Sequence, residues 1–146
     1  MSAAAVAPAL SEALKHEPVY DLHLCRGRAL VVEDSEDIAD MLASVLRHAG
    51  YNVSTANSGP EALKAAFASR FDLIVSDIGM PGMNGYELAR ALRATPEYKS
   101  VPMVAVTGFA MYDDRDRALE AGFNDHLSKP VDPVSLTRAV HGIRSH

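Results

Sequence analysis

From Ala29 onward, short and nearly unbroken apolar runs alternate five times with stretches of helical period. The runs are ALVV at 29–32, NVSTA at 52–56, LIVS at 73–76 and MVAV at 103–106, with a short fifth around His126 and Leu127. A strand that is apolar on every residue has no wet face, so both its sides must be covered. Helices returning between such strands supply the cover, and short crossovers of this kind give parallel pairing. The pattern therefore predicts an α/β fold: one five-stranded parallel sheet with helices on both faces. Its 146 residues leave room for a single core.

The helical stretches carry their own punctuation. Ser35 precedes an apolar stripe of Ile38, Met41, Leu42, Val45 and Ala49, with Gly50 where a left-handed cap belongs. Ser58-Gly59-Pro60-Glu61 has the spacing of a capping box ahead of Ala62, Leu63, Ala66 and Phe67. Asn84 precedes a third helix through Leu88, Ala91 and Leu92. A fourth runs from about Asp113 to Ala121 and stops at Gly122, and Asp132-Pro133 opens a fifth with Leu136, Val140 and Ile143 on one stripe.

Composition excludes several functions. Fourteen Lys+Arg against nineteen Asp+Glu give a net charge of −5, with no basic run, so nucleic acid is not an expected direct partner. No apolar stretch approaches the ~18 residues a membrane span needs, so membrane insertion is not expected. The opening MSAAAVAPAL lacks the basic start and long apolar centre of a secretory signal. One cysteine, Cys25, forms no internal disulfide, which suits a cytoplasmic location. The six histidines lack zinc-ligand spacing. Residues 1–26 are Ala-rich, contain Pro8 and Pro18, and hold only weak patterns: helical around Leu10, Ala13 and Leu14, alternating at Tyr20, Leu22 and Leu24. They read as an extension, partly ordered or flexible, with a dimer or partner contact as the other reading.

Open parallel sheets bind ligands at the carboxyl ends of their strands. In that position stand Glu33 and Asp34 after the first strand, Asp77 after the third, Thr107 after the fourth and Lys129 after the fifth. Three carboxylates and one ammonium leave a charge of −3 + 1 = −2, which suits a divalent cation. Carboxylate oxygens, with positions kept for water and phosphate, describe Mg²⁺.

These residues, in VVED at 31–34, DIGMPGMNG at 77–85, Val106-Thr107-Gly108 and Lys129-Pro130, make the chain resemble the receiver domain of two-component response regulators. The likeness runs from about Arg28 to Arg144 and implies a receiver domain at 27–146 with the flavodoxin-like strand order 2-1-3-4-5 and five flanking helices. It implies that Asp77 accepts a phosphoryl group from a phosphohistidine of a histidine kinase or phosphotransfer protein. It also implies that Asp34, Asp77 and the carbonyl of Gly79 bind Mg²⁺ directly, Glu33 through a water. Lys129 would pair with Asp77 and then with the phosphoryl oxygens, while Thr107 supplies a hydroxyl; a cis Lys129-Pro130 bond is implied as well. Gly79 would leave the pocket open, Gly108 would keep space clear beside Thr107, and Gly82 and Gly85 would allow turns. Met80 and Met83 read as packing residues.

The family commonly places an aromatic three residues before the lysine, and here that position is His126. Its imidazole either fills the space Thr107 vacates or stays exposed. Phe109 is placed to shield an acyl phosphate. Asp113, Asp114, Arg115, Asp116 and Arg117 give the fourth helix a mixed charge. Output is expected through the surface of the fourth helix, fifth strand and fifth helix, toward a downstream effector or a homodimer partner. The chain is read as a single-domain response regulator or a hybrid-kinase receiver, and as no enzyme beyond its own phosphorylation and dephosphorylation. The alternative is a receiver-like interaction module regulated without phosphorylation. A dehalogenase-type phosphatase needs a second aspartate at position 79, which is glycine.

Overall fold

A computed structural model of the chain describes residues 26–108 and 114–144. The patterns at 1–25, Cys25, Phe109 and Asp113 lie outside the described residues. Five parallel strands, β1 (Gly27–Val32), β2 (Tyr51–Ala56), β3 (Leu73–Asp77), β4 (Met103–Thr107) and β5 (Asp125–Ser128), pair in the order β2-β1-β3-β4-β5. The helices are α1 (Glu36–His48), α2 (Gly59–Ala68), α3 (Gly85–Arg93), α4 (Asp114–Ala121) and α5 (Pro133–Arg144), with a 3₁₀ turn at Pro96–Tyr98. The expected fold and strand order are the observed ones. Strands β3 and β4 each run one residue further than the apolar pattern, so Asp77 and Thr107 are the last residues of their strands.

Successive residues of β1 show why the central strands are apolar throughout. Leu30 and Val32 enter a core shared with α2, α3 and α4, whereas Ala29 and Val31 enter a second core with α1 and α5. Alternation across a strand has become burial on both faces. Edge strand β2 is covered less completely: Asn52 on one face and Thr55 on the other are exposed, while Tyr51, Val53 and Ala56 are buried.

Two expected details come out differently, and one that the pattern left open is decided. The α1 stripe is rotated by one residue, with Ala39, Leu42, Ala43 and Leu46 buried and Ile38, Met41, Val45 and Ala49 only partly so. Two of the four buried positions, Ala39 and Ala43, are alanines set between Leu42 and Leu46, which lets the helix approach the sheet. On α2, Phe67 is not a core residue but 61% exposed, because Ala62 and Ala66 already fill the contact. Ser35 occupies the α1 N-cap but its hydroxyl makes no cap bond. Its backbone N–H donates instead to Glu33 Oε2 at 3.0 Å.

Other boundaries follow the punctuation. Ser58 Oγ accepts from Glu61 N at 3.2 Å, while the Glu61 carboxylate returns to Asn57 N, one residue before the cap. Asn84 and Glu87 form a complete reciprocal capping box. Asp132 caps α5 through Ser135 N at 2.8 Å, and Gly50 and Gly122 end α1 and α4 at φ of 104° and 119°.

Candidate functional site

Each acidic residue reaches the carboxyl edge because a buried strand ends there. Glu33 follows β1 and extends its ladder by one bond, Glu33 N donating to Ala56 O at 3.0 Å. Asp77 ends β3, and the next amide, Ile78 N, donates to Val106 O at 2.9 Å. One carboxylate oxygen from each of Glu33, Asp34 and Asp77 lies within 4.8 Å of the others. Glu33 and Asp77 are 2% and 3% exposed, while Asp34 faces solvent. The sequence-predicted acids are therefore one cluster.

Lys129 comes to the same place from β5, its backbone N donating to Thr107 O at 2.7 Å across a cis Lys129-Pro130 peptide. Its ammonium lies 3.0 Å from Glu33 Oε1 and 3.3 Å from Asp77 Oδ1. The pair with Asp77 that the resemblance implies is present, and Glu33 is a second and nearer partner. This buried oxygen of Glu33 has the ammonium beside it and no hydrogen-bond donor besides, so it keeps accepting capacity for a further partner.

Burial is the largest influence on the Glu33 carboxyl and raises its pKa above the ordinary 4.5. The nearby Asp77 charge pushes the same way, against the Ser35 amide and Lys129. Burial alone would lower the Lys129 pKa, but Glu33 and Asp77 outweigh it and hold the ammonium above its usual 10.5. One ammonium balances one of three carboxylates, and the donors are all oxygen. That set fits a hard divalent cation.

Thr107 is 5% exposed at the end of β4. His126 lies opposite Ala105 in the β4–β5 register, so its ring shares the sheet face of Ala105 and Thr107. The ring is half-buried rather than exposed, and its Nε2 is buried without a hydrogen-bond partner. A Cβ on Gly79 would meet nothing within 4 Å, and one on Gly108 only Lys129 Cδ at 4.0 Å, so both glycines leave space over the acids. Gly82, at φ 75°, makes the expected turn. Gly85 instead allows a close approach, since a Cβ there would overlap the Asp77 carbonyl oxygen.

Met83, read from the sequence as a packing residue, packs against Gly59 beside this edge. Sequence reasoning missed Arg93, which at the opposite, amino end of the sheet ties the end of α3 to Gly122, Tyr98, Val101 and Asn124. A lone arginine at a helix end carries no signal of such a role.

Residues 29–141 match the response regulator receiver domain family. A putative response regulator from Chloroflexus aurantiacus superposes with a TM-score of 0.78 at 36% identity, over 82% of this chain and 98% of that one. The receiver domain of sensor histidine kinase PA1611 from Pseudomonas aeruginosa, solved with magnesium coordinated in its active-site cleft, gives 0.75 at 32% identity, over 82% and 98%. The response regulator PleD of Caulobacter vibrioides is 39% identical over 116 residues, 80% of this chain. This chain spans only 26% of that protein's length.

Proposed function

The chain belongs to the response regulator receiver domain family, and we propose that it is a phospho-accepting switch of a two-component system, Asp77 being the acceptor. One observation carries this reading: Asp77, 3% exposed, lies with Glu33 and Asp34 in a cluster 4.8 Å across, under the ammonium of Lys129. An Asp77 carboxylate oxygen forms the new O–P bond as the N–P bond of a phosphohistidine breaks. The imidazole departs neutral, keeping the electron pair on the released nitrogen and its proton on the other. The donor is a histidine kinase or a histidine phosphotransfer protein.

Asp34, Asp77 and the Gly79 carbonyl would hold Mg²⁺, with Glu33 acting through a water. When bound, the ion offsets charge on the phosphoryl oxygens. Lys129 keeps the edge from repelling itself before transfer, then faces a phosphoryl oxygen. The Thr107 hydroxyl donates to another, and the His126 ring takes up the space Thr107 leaves. Such a hydrogen bond contributes about 1.5–3 kcal/mol, whereas moving a two-state equilibrium from 1:99 to 99:1 needs ~5.5 kcal/mol. Thr107 and His126 therefore act with the bound partner rather than alone.

The output surface is α4, β5 and α5, where Arg115, Asp116, Arg117 and Glu120 are exposed, and its partner is a downstream effector or a second copy. The receiver unit is 27–146, with 1–26 an extension. The chain acts on no substrate other than its own phosphoryl group. No helix among the described residues is long and apolar enough to cross a membrane; the cytoplasm, where phosphohistidine donors reside, is its proposed location.

Incubation with acetyl phosphate or phosphoramidate and Mg²⁺, read by intact mass, tests the proposal. Wild type gains one phosphoryl mass and Asp77→Asn gains none. No adduct with these donors or with a kinase would leave a module regulated without phosphorylation.

A further inference from the structure

Between β3 and α3 the chain makes a short loop, Ile78 to Asn84, that carries the Gly79 carbonyl past Asp77. The loop closes on itself: the Ile78 carbonyl accepts from Met80 N at 3.0 Å and from Gly85 N at 2.9 Å. Those bonds set its shape, and Ile78 N donating to Val106 O at 2.9 Å, with Ile78 and Met80 buried, fixes its root against the sheet; the far end of the loop needs a contact of its own. Met83 provides a lateral contact. It is half-buried and packs against the core beneath α2.

Gly59 faces it. A Cβ there would lie 2.7 Å from Met83 Cγ and Sδ and 2.8 Å from Met83 Cβ, so Met83 fills the volume that any side chain at position 59 would take. Gly59 has no positive φ that would explain a glycine, and it stands in the first turn of α2, between the Ser58 cap and Pro60. A glycine has more backbone freedom to lose on folding than an alanine has, so a glycine here needs another reason. Space, not backbone freedom, is what the glycine supplies. The notch is rigid, because capping and proline both fix the start of α2.

We infer that Met83 seated in the Gly59 notch is a positioning contact that sets the Gly79 carbonyl relative to Asp34 and Asp77, and through it the cation affinity of the edge. This deepens the receiver reading and rests on it. It assigns Gly59 and Met83 a role in metal binding although neither touches the metal.

The test is Mg²⁺ affinity by calorimetric titration, with thermal unfolding in parallel, for wild type, Gly59→Ala, Met83→Ala, Met83→Leu and the Gly59→Ala/Met83→Ala double variant. Gly59→Ala and Met83→Ala each weaken Mg²⁺ binding by about ten-fold, the effect typical of losing a supporting contact. Met83→Leu, which refills the notch, restores most of it. The double variant loses less than the two single losses combined, because truncating Met83 removes Cγ and Sδ, two of the three atoms that alanine at 59 would overlap, and leaves only Cβ at 2.8 Å; contacting residues are non-additive in this way. Variants that lower the unfolding temperature with Mg²⁺ affinity unchanged, or single effects that simply add, overturn the inference. If Gly59→Ala does not fold, the Met83 pair decides alone: no loss in Met83→Ala, or no rescue by Met83→Leu, overturns it. Failure of wild type to accept a phosphoryl group would sink the receiver reading instead, and the titration separates the two.

Discussion

Arg93 and Glu33 are both charged, both substantially buried and at opposite ends of the same sheet. At the amino end, Arg93 donates to the carbonyls of Gly122, Tyr98 and Val101 and to Asn124 Oδ1, at 2.7–3.0 Å. Nearby, Tyr98 is fully buried, yet its hydroxyl shares its one proton between the carbonyls of Ala66 at 2.7 Å and Ser69 at 3.0 Å and accepts from Phe71 N. Asp72 accepts from Arg28 N at 2.8 Å. At the carboxyl end, Glu33 has one ammonium, shared with Asp77, and an oxygen with capacity left over. Buried polar groups that hold a fold together are satisfied by protein. Groups left short of positive charge mark the place where a ligand completes the set. The first end holds the sheet together; the second is held ready at some cost in stability.

The sharpest way to break this contrast is Arg93→Ala, which strands several partly buried carbonyls at once. It should lower stability by about 3–5 kcal/mol in denaturant unfolding while leaving Mg²⁺ affinity within about two-fold of wild type. A parallel loss of Mg²⁺ binding would mean the ends are coupled. Asp34→Ala makes the opposite cut. Removing this exposed carboxylate, a proposed ligand, should weaken Mg²⁺ binding about 100-fold, or ~2.7 kcal/mol, with little change in metal-free stability.

Glu33→Gln is more diagnostic because its two effects have opposite signs. Burial raises the Glu33 pKa, so between 4.5 and the raised value the folded state binds more protons than the unfolded one. Metal-free stability therefore falls as pH rises through that window, and Glu33→Gln should abolish this component and stabilise the metal-free protein at neutral pH. Mg²⁺ affinity should nonetheless drop about ten-fold, as for an outer-shell partner. In wild type it should weaken on acidification from a pH above that of an ordinary carboxylate, since protons compete for Glu33. Least of all, Ser58→Ala removes a cap and should cost about 1 kcal/mol of stability. Mg²⁺ affinity unchanged in that variant would show that the Gly59 notch acts through packing and not through general weakening of α2.

How far each end was legible follows from how local its signals are. Glu33, Asp34, Asp77, Thr107 and Lys129 each sit beside a strand end, and strand ends in a parallel sheet share an edge, so their convergence could be read from the chain. The Arg93 network gave no such sign: its acceptors are backbone carbonyls, which every residue has. The α1 stripe was misplaced by one residue because Ile38 and Ala39, or Met41 and Leu42, offer similar apolar periodicity until the sheet decides which side can come close. Phe67 follows the same cap as Ala62 and Ala66, and nothing in the period tells which of them the sheet takes in; it takes the two alanines.

By itself, then, the order of residues determined the alternation of strand and helix, the stops and starts of most helices, and which side chains would stand at one edge. These depend on neighbours within a few positions, where period and capping act. Only the folded chain decided that Glu33, not Asp77, takes the nearer place beside Lys129, that His126 turns half-inward with a buried nitrogen, and that Met83 lies in the gap at Gly59. Those outcomes depend on ångström-scale distances between residues tens of positions apart, set by how two layers of helices settle on a twisted sheet.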